Sequence, residues 1–294
     1  MTLISVNGTR LYVDARGPED GVPVVFVHGG PGMSCHPFMS AQGDALASRG
    51  LRIIGVDQRG LFRSDELPAD AEITIEAIIG DFEALREALG LDGWGVIGHS
   101  FGGWLATHYA VAHPGRVRSV LFDSPGWDQD IAGRHRLAII AEILDGRGDE
   151  EGATRARRLM MKPERLALAD DVHGQIAALG EDAWRMTFAT REASDAFDAA
   201  QAEVPEDAWR WERHLHLRAR SFEPALPLLE KLTMPTMLLH GRHDPVVPPA
   251  AVGAYRAAVA EPRAVRLDGS AHLPFAEEPE AYTEAVAAFF TKGA

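Results

Sequence analysis

The stretch GVIGHSFGGW, Gly95 to Trp104, joins an apolar run typical of a buried strand to an apolar pattern typical of a helix. Within it, Gly98 and Gly102 flank Ser100 in the spacing Gly-x-Ser-x-Gly. A turn this tight leaves no room for a Cβ beside the serine, so glycine is needed there. The spacing alone also occurs in ordinary glycine- and serine-rich loops. The strand and the helix around it favour a nucleophilic serine, exposed at the carboxyl end of the strand.

Apolar runs of the same kind recur along the chain. They are continuous rather than alternating, which predicts parallel strands covered on both faces. The runs are VPVVFV (22–27), LRIIGVD (51–57), GWGVIG (93–98), VRSVLFD (117–123), PTMLLHG (235–241) and RAVRLDG (263–269). A β-hairpin with Asn7-Gly8 in a type I′ turn is expected before them. Helical patterns lie between several runs, one of them with Thr74 as its N-cap and Gly90 just past its end. The sequence therefore predicts an α/β fold, with a mainly parallel sheet and flanking helices.

The alternation of strands and helices stops between Trp127 and Lys231. Amphipathic helical patterns replace it, as in AGRHRLAIIAEIL (132–144) and EDAWRMTFATREASDAFDAA (181–200). A segment of this length is too long for an ordinary crossover between two strands. We expect an inserted helical cap over residues 127–231, and a core domain formed by residues 1–126 and 232–294.

A serine nucleophile needs a base and an acid to activate it. His272 follows the last predicted strand, and Asp244 follows the strand before it. The order Ser100, Asp244, His272, with each residue beyond the end of a strand, is the order expected for an α/β-hydrolase. Asp123, at the end of the strand after the nucleophile helix, is an alternative acid; we favour Asp244 and predict a structural role for Asp123.

The turn HGGPG, residues 28–32, allows two interpretations. A glycine-rich turn after a strand can hold a phosphate, or it can bring backbone N–H groups close to a developing oxyanion. No Gly-x-Gly-x-x-Gly and no Lys-Ser/Thr follows, and Pro31 lacks an N–H, which argues against phosphate. In an α/β-hydrolase the oxyanion hole uses the N–H after the nucleophile and one from an earlier loop. These N–H groups are assigned to Phe101 and Gly30.

The composition limits the kinds of molecule that the protein is expected to bind. The formal charge of −14 argues against nucleic acid and anionic membranes, so a small molecule or short peptide is the expected substrate. The single cysteine, Cys35, excludes an intramolecular disulfide, and we expect it to fill space. The N-terminal stretch lacks the pattern of a signal peptide, which favours a cytoplasmic protein. No metal site and no cofactor are expected, because the histidines lack a convincing set of partner ligands.

Several motifs together resemble the proline iminopeptidase family of α/β-hydrolases. They are HGGPG (28–32), DQRG (57–60) followed by Arg63-Ser64, GHSFGG (98–103), GRHD (241–244) and GSAH (269–272). The resemblance covers the predicted sheet domain, and the cap matches weakly. It implies a metal-free acyl-transfer enzyme that removes N-terminal residues and carries a helical cap over its active site.

The chain departs from the family's pattern near the expected substrate. Phe62 stands where the family's DQRGxGxS loop has its second glycine, and His99 and Phe101 replace the usual Gly and Trp. The cap stretch DAWRWERHL is one residue tighter than the family's Trp-x-x-Trp-Glu feature, whose glutamate binds the substrate's α-amine. Trp211 and Glu212 are assigned to substrate binding by resemblance, and Phe62 because it would add bulk beside the cleft. For the cap stretch, an ordinary aromatic helix face is the alternative. Candidates for a second amine-binding glutamate are Glu206 and Glu223.

Two substrate classes therefore remain. N-terminal residue amide hydrolysis is favoured by the resemblance, and hydrolysis of a small hydrophobic carboxylic ester or lactone needs only the same three residues. A C–C bond hydrolase or a non-catalytic ligand receptor on the same fold are further alternatives.

Overall fold

Eight strands form one sheet that runs through the protein. A computed structural model describes residues 2–291, without the side chain of Glu206. The strands are β1 (Thr2–Val6), β2 (Thr9–Arg16), β3 (Val22–Val27), β4 (Leu51–Val56), β5 (Trp94–His99), β6 (Val117–Asp123), β7 (Thr236–Gly241) and β8 (Arg263–Leu267). Their order is β1-β2-β4-β3-β5-β6-β7-β8. The pairs β1–β2 and β2–β4 are antiparallel, and all the other neighbours are parallel. The prediction of an α/β-hydrolase fold with a mainly parallel sheet is confirmed.

Ten α-helices accompany the sheet in the described part of the chain. They are α1 (His36–Ala47), α2 (Ile75–Ala88), α3 (Phe101–Ala112), α4 (Gln129–Gly146), α5 (Glu150–Met160), α6 (Val172–Ala177), α7 (Arg191–Gln201), α8 (Pro249–Ala258), α9 (Pro274–Glu277) and α10 (Pro279–Thr291). Short 3₁₀ helices lie at Leu168–Asp170, Gly180–Met186, Glu206–Trp209, Trp211–Phe222 and Leu226–Lys231.

The sheet is buried on both faces, as its continuous apolar strands predict. Alternate residues of β3 show this, because Val25 and Val27 join one core cluster while Val24 and Phe26 join the other. The first cluster contains side chains of α2, α3 and α8, and the second contains side chains of α1 and α10. Helices on both faces thus leave the ends of the strands for the loops that carry function.

Local signals in the sequence set one predicted turn and both ends of one predicted helix. Asn7 and Gly8 have φ values of 41° and 79°, the conformation that a two-residue hairpin turn requires. The Thr74 side chain accepts a hydrogen bond from Ala77 N and so begins α2. Gly90, with φ of 68°, follows the end of that helix. Both sequence predictions are therefore confirmed.

The segment predicted to be a cap, residues 127–231 and named the cap for that reason, contains helices and, among the described residues, no strand. Their interior is a separate apolar cluster that includes Leu137, Ile140, Leu166 and Val172. The amphipathic helical pattern over residues 181–200 corresponds to two helices rather than one. A 3₁₀ helix ends at Met186, and α7 begins only after Thr190, whose side chain accepts from Ala193 N.

The chain breaks there because its backbone bonds to the core domain instead of to itself. Thr187 O accepts from His272 N at 2.9 Å, and Ala189 N donates to Glu277 Oε2 at 2.7 Å. Between them, Phe188 is buried in the second core cluster. The break therefore fixes one wall of the cap against the loop that carries His272.

In the described part of the chain, no helix combines the length and the apolar character that crossing a bilayer requires.

The turn between β5 and α3 generates a prediction on stability. A Cβ on Gly102 would collide with the Val27 carbonyl oxygen, which belongs to β3 and cannot move without disturbing the sheet. Gly102→Ala is expected to lower the free energy of unfolding by more than about 3 kcal/mol. Chemical denaturation measures it, with Gly115→Ala as the control, because a Cβ there meets no atom within 4 Å. The control should change the free energy by less than about 1 kcal/mol. Equal effects of the two substitutions would contradict this account of the turn.

Candidate functional site

Ser100 lies in a sharp turn at the carboxyl end of β5. Its φ and ψ are 54° and −121°, a conformation that side-chain-bearing residues rarely adopt. Neighbouring glycines make room for it, since a Cβ on Gly98 would lie 2.6 Å from Gly102 O. A Cβ on Gly29 would lie 2.8 Å from the Ser100 Cβ. The turn thus holds the serine hydroxyl away from the sheet and towards the loops.

His272 and Asp244 continue from Ser100 in one chain of hydrogen bonds. The Ser100 hydroxyl donates to His272 Nε2 at 3.0 Å, and His272 Nδ1 donates to Asp244 Oδ1 at 3.0 Å. The carboxylate can only accept, so it fixes the histidine tautomer with Nε2 free to accept the serine proton. The three residues lie after β5, β7 and β8, whose carboxyl ends meet at one edge of the sheet.

Burial and the neighbouring charges set the protonation states of His272 and Asp244. Burial lowers the pKa of the His272 imidazole below its ordinary value, although the neighbouring Asp244 carboxylate acts in the opposite direction. Burial on its own raises the pKa of Asp244, but His272 and a hydrogen bond from Val246 N hold that pKa below its ordinary value. At neutral pH the arrangement is therefore a neutral imidazole beside a carboxylate, which suits a general base.

Asp123 makes different contacts. It is buried, its Oδ2 lies 3.1 Å from His99 Nδ1, and it accepts from the Tyr282 hydroxyl at 3.2 Å. Its backbone oxygen accepts from Ser100 N at 3.0 Å. Asp123 thus supports the serine turn from below, whereas Asp244 accepts the hydrogen bond from His272.

The turn of residues 28–32 lies beside Ser100. Its first three residues line a cavity together with Ser100. Gly30 has φ of 114°, a value that favours glycine. Within the described part of the chain, neither Gly30 N nor Phe101 N donates to a protein acceptor. Two N–H donors next to the serine therefore remain available to a ligand.

His28 anchors this turn at its first residue. Its Nδ1 donates to Gly29 O at 3.1 Å, and its Nε2 accepts from Gln58 N at 3.1 Å. Burial lowers the pKa of His28 to about 4, so the ring is neutral and can both donate and accept.

The DQRG motif anchors the far end of the same turn. Asp57 accepts from the Ser34 hydroxyl at 2.7 Å and from Cys35 N at 3.0 Å. Arg63 Nε donates to Asp57 at 2.8 Å, and the Ser64 hydroxyl donates to Asp57 O at 2.6 Å. These hydrogen bonds give a physical reason for the DQRG motif, which in the sequence was only one part of a resemblance.

Cys35 packs against this network and away from solvent. Burial raises the pKa of its thiol well above the ordinary value, so it remains protonated and unreactive. Among residues 2–291, no group of three or more His, Cys, Asp and Glu side chains is arranged to hold a metal ion.

A cavity of about 350 Å³ opens over Ser100 between the core and the cap. Its walls are mainly apolar and include Met33, Phe38, Ile176, Met186, Phe188, Phe197, Leu273 and Phe275. Cap residues Arg136, His173, Thr187 and Asp198 supply polar groups. Asp198 is the one carboxylate among the described lining residues, and it is exposed. Sequence reasoning missed Arg136 and His173, since each lies in a helix that belongs to no motif.

The residues assigned to substrate binding from the sequence do not line this cavity. The Phe62 ring stacks on Trp209 with centroids 4.6 Å apart, where the cap meets the core. Trp211 is 43% exposed and Glu212 is exposed. Glu223 is also exposed and pairs with Arg220 at 3.0 Å, while the Glu206 side chain lies outside the described part.

The chain is similar to known proteins in both sequence and fold. The family model described as alpha/beta hydrolase fold matches residues 22–279. A proline iminopeptidase of Heyndrickxia coagulans is 27% identical over 97% of this chain and 96% of its own length. A proline iminopeptidase of Xylella fastidiosa strain Temecula1 is 30% identical over 81% of this chain and 79% of its own length. These findings confirm the resemblance to proline iminopeptidases.

Solved structures share the fold over the whole chain. A proline iminopeptidase-related protein from Thermus thermophilus has a TM-score of 0.76 and 24% identity, covering 100% of this chain and 98% of its own. An enol-lactonase from Burkholderia xenovorans LB400 has a TM-score of 0.70 and 21% identity, covering 99% of this chain and 100% of its own. A proline iminopeptidase-related protein and an enol-lactonase thus share this architecture.

The lowered pKa of His272 generates a prediction on reactivity. A serine that donates to a histidine gains nucleophilicity as that histidine loses its proton, so reaction of Ser100 with a fluorophosphonate should accelerate as pH rises and then level off. Because burial lowers the pKa of His272, the midpoint should lie below the ordinary value of 6.5. The second-order rate of labelling against pH measures it, and His272→Gln should remove this dependence. A midpoint above 6.5 would contradict the electrostatics described here.

Proposed function

The chain belongs to the alpha/beta hydrolase fold family, and we propose that it is a serine hydrolase that works by acyl transfer. The observation that carries the proposal is the unbroken hydrogen-bonded chain from the Ser100 hydroxyl through His272 to Asp244, facing a cavity under the cap. Nucleophile, base and orienting acid are each within about 3 Å of the next group, which is the geometry that such catalysis needs.

The first half of the proposed reaction forms an acyl-enzyme. Ser100 Oγ attacks the substrate carbonyl carbon while His272 Nε2 takes the hydroxyl proton. The carbonyl oxygen becomes an oxyanion, which the N–H groups of Gly30 and Phe101 are placed to stabilise. His272 then gives its proton to the departing oxygen or nitrogen, the bond to that atom breaks, and the acyl group remains on Ser100.

Water completes the proposed reaction by the same steps in reverse. His272 takes a proton from water, the hydroxide attacks the acyl carbon, and the tetrahedral intermediate collapses. The Ser100 oxygen receives the proton from His272 and leaves. The net change is substrate plus water giving an acid and an alcohol or amine, with the protein unchanged.

The proposed role of Asp244 predicts unequal effects of two buried acids. Asp244→Asn is expected to lower kcat by about 10³- to 10⁴-fold, because the amide no longer fixes the tautomer that accepts the serine proton. Asp123→Asn, which loses contacts to His99 and Tyr282, should lower kcat by less than about tenfold. Steady-state hydrolysis of an activated ester by the two folded variants measures this. The reverse order would assign the orienting role to Asp123.

For the substrate, the cavity favours an ester or lactone. Recognition of an α-ammonium requires carboxylates that face the serine, as a desolvated cation without an anionic partner is unfavourable. The one carboxylate of the described lining, Asp198, is exposed, and Glu212 lies outside the cavity. We therefore place hydrolysis of a small carboxylic ester or lactone first.

Aminopeptidase activity is the second candidate function. The curated proline iminopeptidases that align with most of the chain support it. Their reaction would use the same Ser100, His272 and Asp244, with the amide nitrogen as leaving group.

Two esters of the same shape separate the two candidates. The 4-nitrophenyl esters of cyclopentanecarboxylic acid and of proline differ only in whether the ring carries an amine. We expect kcat/KM at least about tenfold higher for the carbocyclic ester, because no buried carboxylate lines the described cavity to pair with the ammonium. Glu212→Gln should change neither value. Preference for the proline ester, lost in Glu212→Gln, would instead support the aminopeptidase.

A further inference from the structure

One cationic side chain in the cavity over Ser100 has no anionic partner among the described residues. Arg136 extends from α4 into the wall of the cavity. Its Nε is shut off from solvent and bonds to nothing, and its Nη1 reaches only Gln129 Oε1, at 3.5 Å. No carboxylate of the described side chains lies within 4.0 Å of its guanidinium group. An arginine in such surroundings lacks the partner that buried charges normally have.

A second arginine lies within electrostatic reach of the first. Arg218, on the 3₁₀ helix Trp211–Phe222, also has a buried Nε without a partner. Burial lowers the pKa of Arg136, and the positive charge of Arg218 lowers it further. His173 lines the same cavity; burial, with both arginines, lowers its pKa to about 4 and keeps it neutral. Positive charge from Arg136 and Arg218 thus lies near the side of the cavity formed by the cap, and neither guanidinium group forms an ion pair with a described carboxylate, that of Asp198 included.

Several other arginines of the cap pair with carboxylates, as in Arg134–Asp130 at 3.0 Å, Arg165–Asp128 at 2.7 Å and Arg191–Asp195 at 2.9 Å. The chain has 43 acidic residues and a formal charge of −14, so carboxylates are not scarce. Asp244 is the acid that acts most on the pKa of Arg136, but it acts from a distance, since its carboxylate pairs with His272 and makes no ion pair with the guanidinium group. The unpaired guanidinium of Arg136 therefore lies in the cavity that faces the proposed nucleophile, where a ligand can reach it.

We propose that Arg136 binds a carboxylate group of the substrate, so that the substrate is a small ester or lactone that also carries a carboxylate. The inference rests on the proposed function and adds the charge of the substrate to it. The guanidinium group offers two parallel N–H donors that match a carboxylate. A bound carboxylate also neutralises the repulsion between Arg136 and Arg218. The cavity of about 350 Å³ is at the small end for a ligand site, which limits the distance between the carboxylate and the reacting carbonyl.

A pair of glutarate esters tests the proposal. Mono-4-nitrophenyl glutarate carries a free carboxylate, and methyl 4-nitrophenyl glutarate is its neutral counterpart. The protein should hydrolyse the half-ester with the higher kcat/KM, after subtraction of the rate with Ser100→Ala. Arg136→Gln should lower kcat/KM by about 10- to 100-fold for the half-ester and by less than about threefold for the diester.

Two further variants separate charge from structure. Arg136→Lys keeps the charge but loses the two parallel donors, so its activity on the half-ester should be intermediate. Arg185→Gln removes an exposed cap arginine outside the cavity and should leave both esters unaffected. Arg136→Gln should also move the acidic limb of the pH profile to higher pH, because the positive charge of Arg136 lowers the pKa of His272. The shift reports the charge of Arg136 near His272, so Arg136→Lys should not show it.

The possible results separate failure of the carboxylate site from failure of the proposed serine hydrolase. Hydrolysis of the diester without preference for the half-ester, or equal losses for both esters in Arg136→Gln, would overturn the carboxylate site and leave the serine hydrolase in place. If the protein hydrolyses neither ester faster than Ser100→Ala does, both the carboxylate site and the serine hydrolase would be overturned. If Arg136→Gln does not fold, inhibition of the unaltered protein decides the matter. Glutarate should compete with the diester while glutaramide does not, and equal inhibition by the two would contradict the proposal.

Discussion

The tight turn at Ser100 is the constraint on which the rest of the site depends. A backbone with φ of 54° and ψ of −121° is unfavourable for serine and persists only because its surroundings allow no alternative. Gly98, Gly29 and Gly102 bring three backbone segments closer together than any side chain permits. Asp123 O holds Ser100 N from the next strand. The sheet therefore fixes the hydroxyl before any catalytic partner is added, and the loops at the same edge can vary around it.

In the proposed reaction, the loops of the core carry the chemistry and the cap carries recognition of the substrate. The core supplies His272 and Asp244, which follow strands, and the N–H groups of Gly30 and Phe101, of which Gly30 lies in the turn that the buried Asp57 anchors. The cap supplies the outer wall of the cavity, and it is fixed to the His272 loop through Thr187 O and Glu277. Such a division would let the cap determine the substrate while the core keeps the reacting groups. In the proposal for Arg136, the charge of the substrate is recognised from α4.

The sequence was most informative where backbone geometry leaves few choices. The glycines around Ser100, the Asn7-Gly8 turn and the Thr74 cap each predicted a local structure that the fold contains. The cap was less predictable, because its helices obey no motif and its break at residues 187–190 depends on bonds to distant Glu277 and His272. Arg136 could not be recognised either, since an unpaired arginine differs from a paired one only in which side chains surround it in space. The resemblance drew attention to Trp211 and Glu212 instead, and these lie outside the cavity.

The most direct test of the account is to find where the acyl group resides during turnover. The protein is mixed with an activated 4-nitrophenyl ester, quenched in acid within the first turnover, digested and analysed by mass spectrometry. The account predicts one acylated peptide, which contains Ser100, and a larger fraction of it in His272→Gln if acylation still proceeds and deacylation is slowed. An acyl group on Cys35 or another residue, or turnover that continues undiminished in Ser100→Ala, would contradict it.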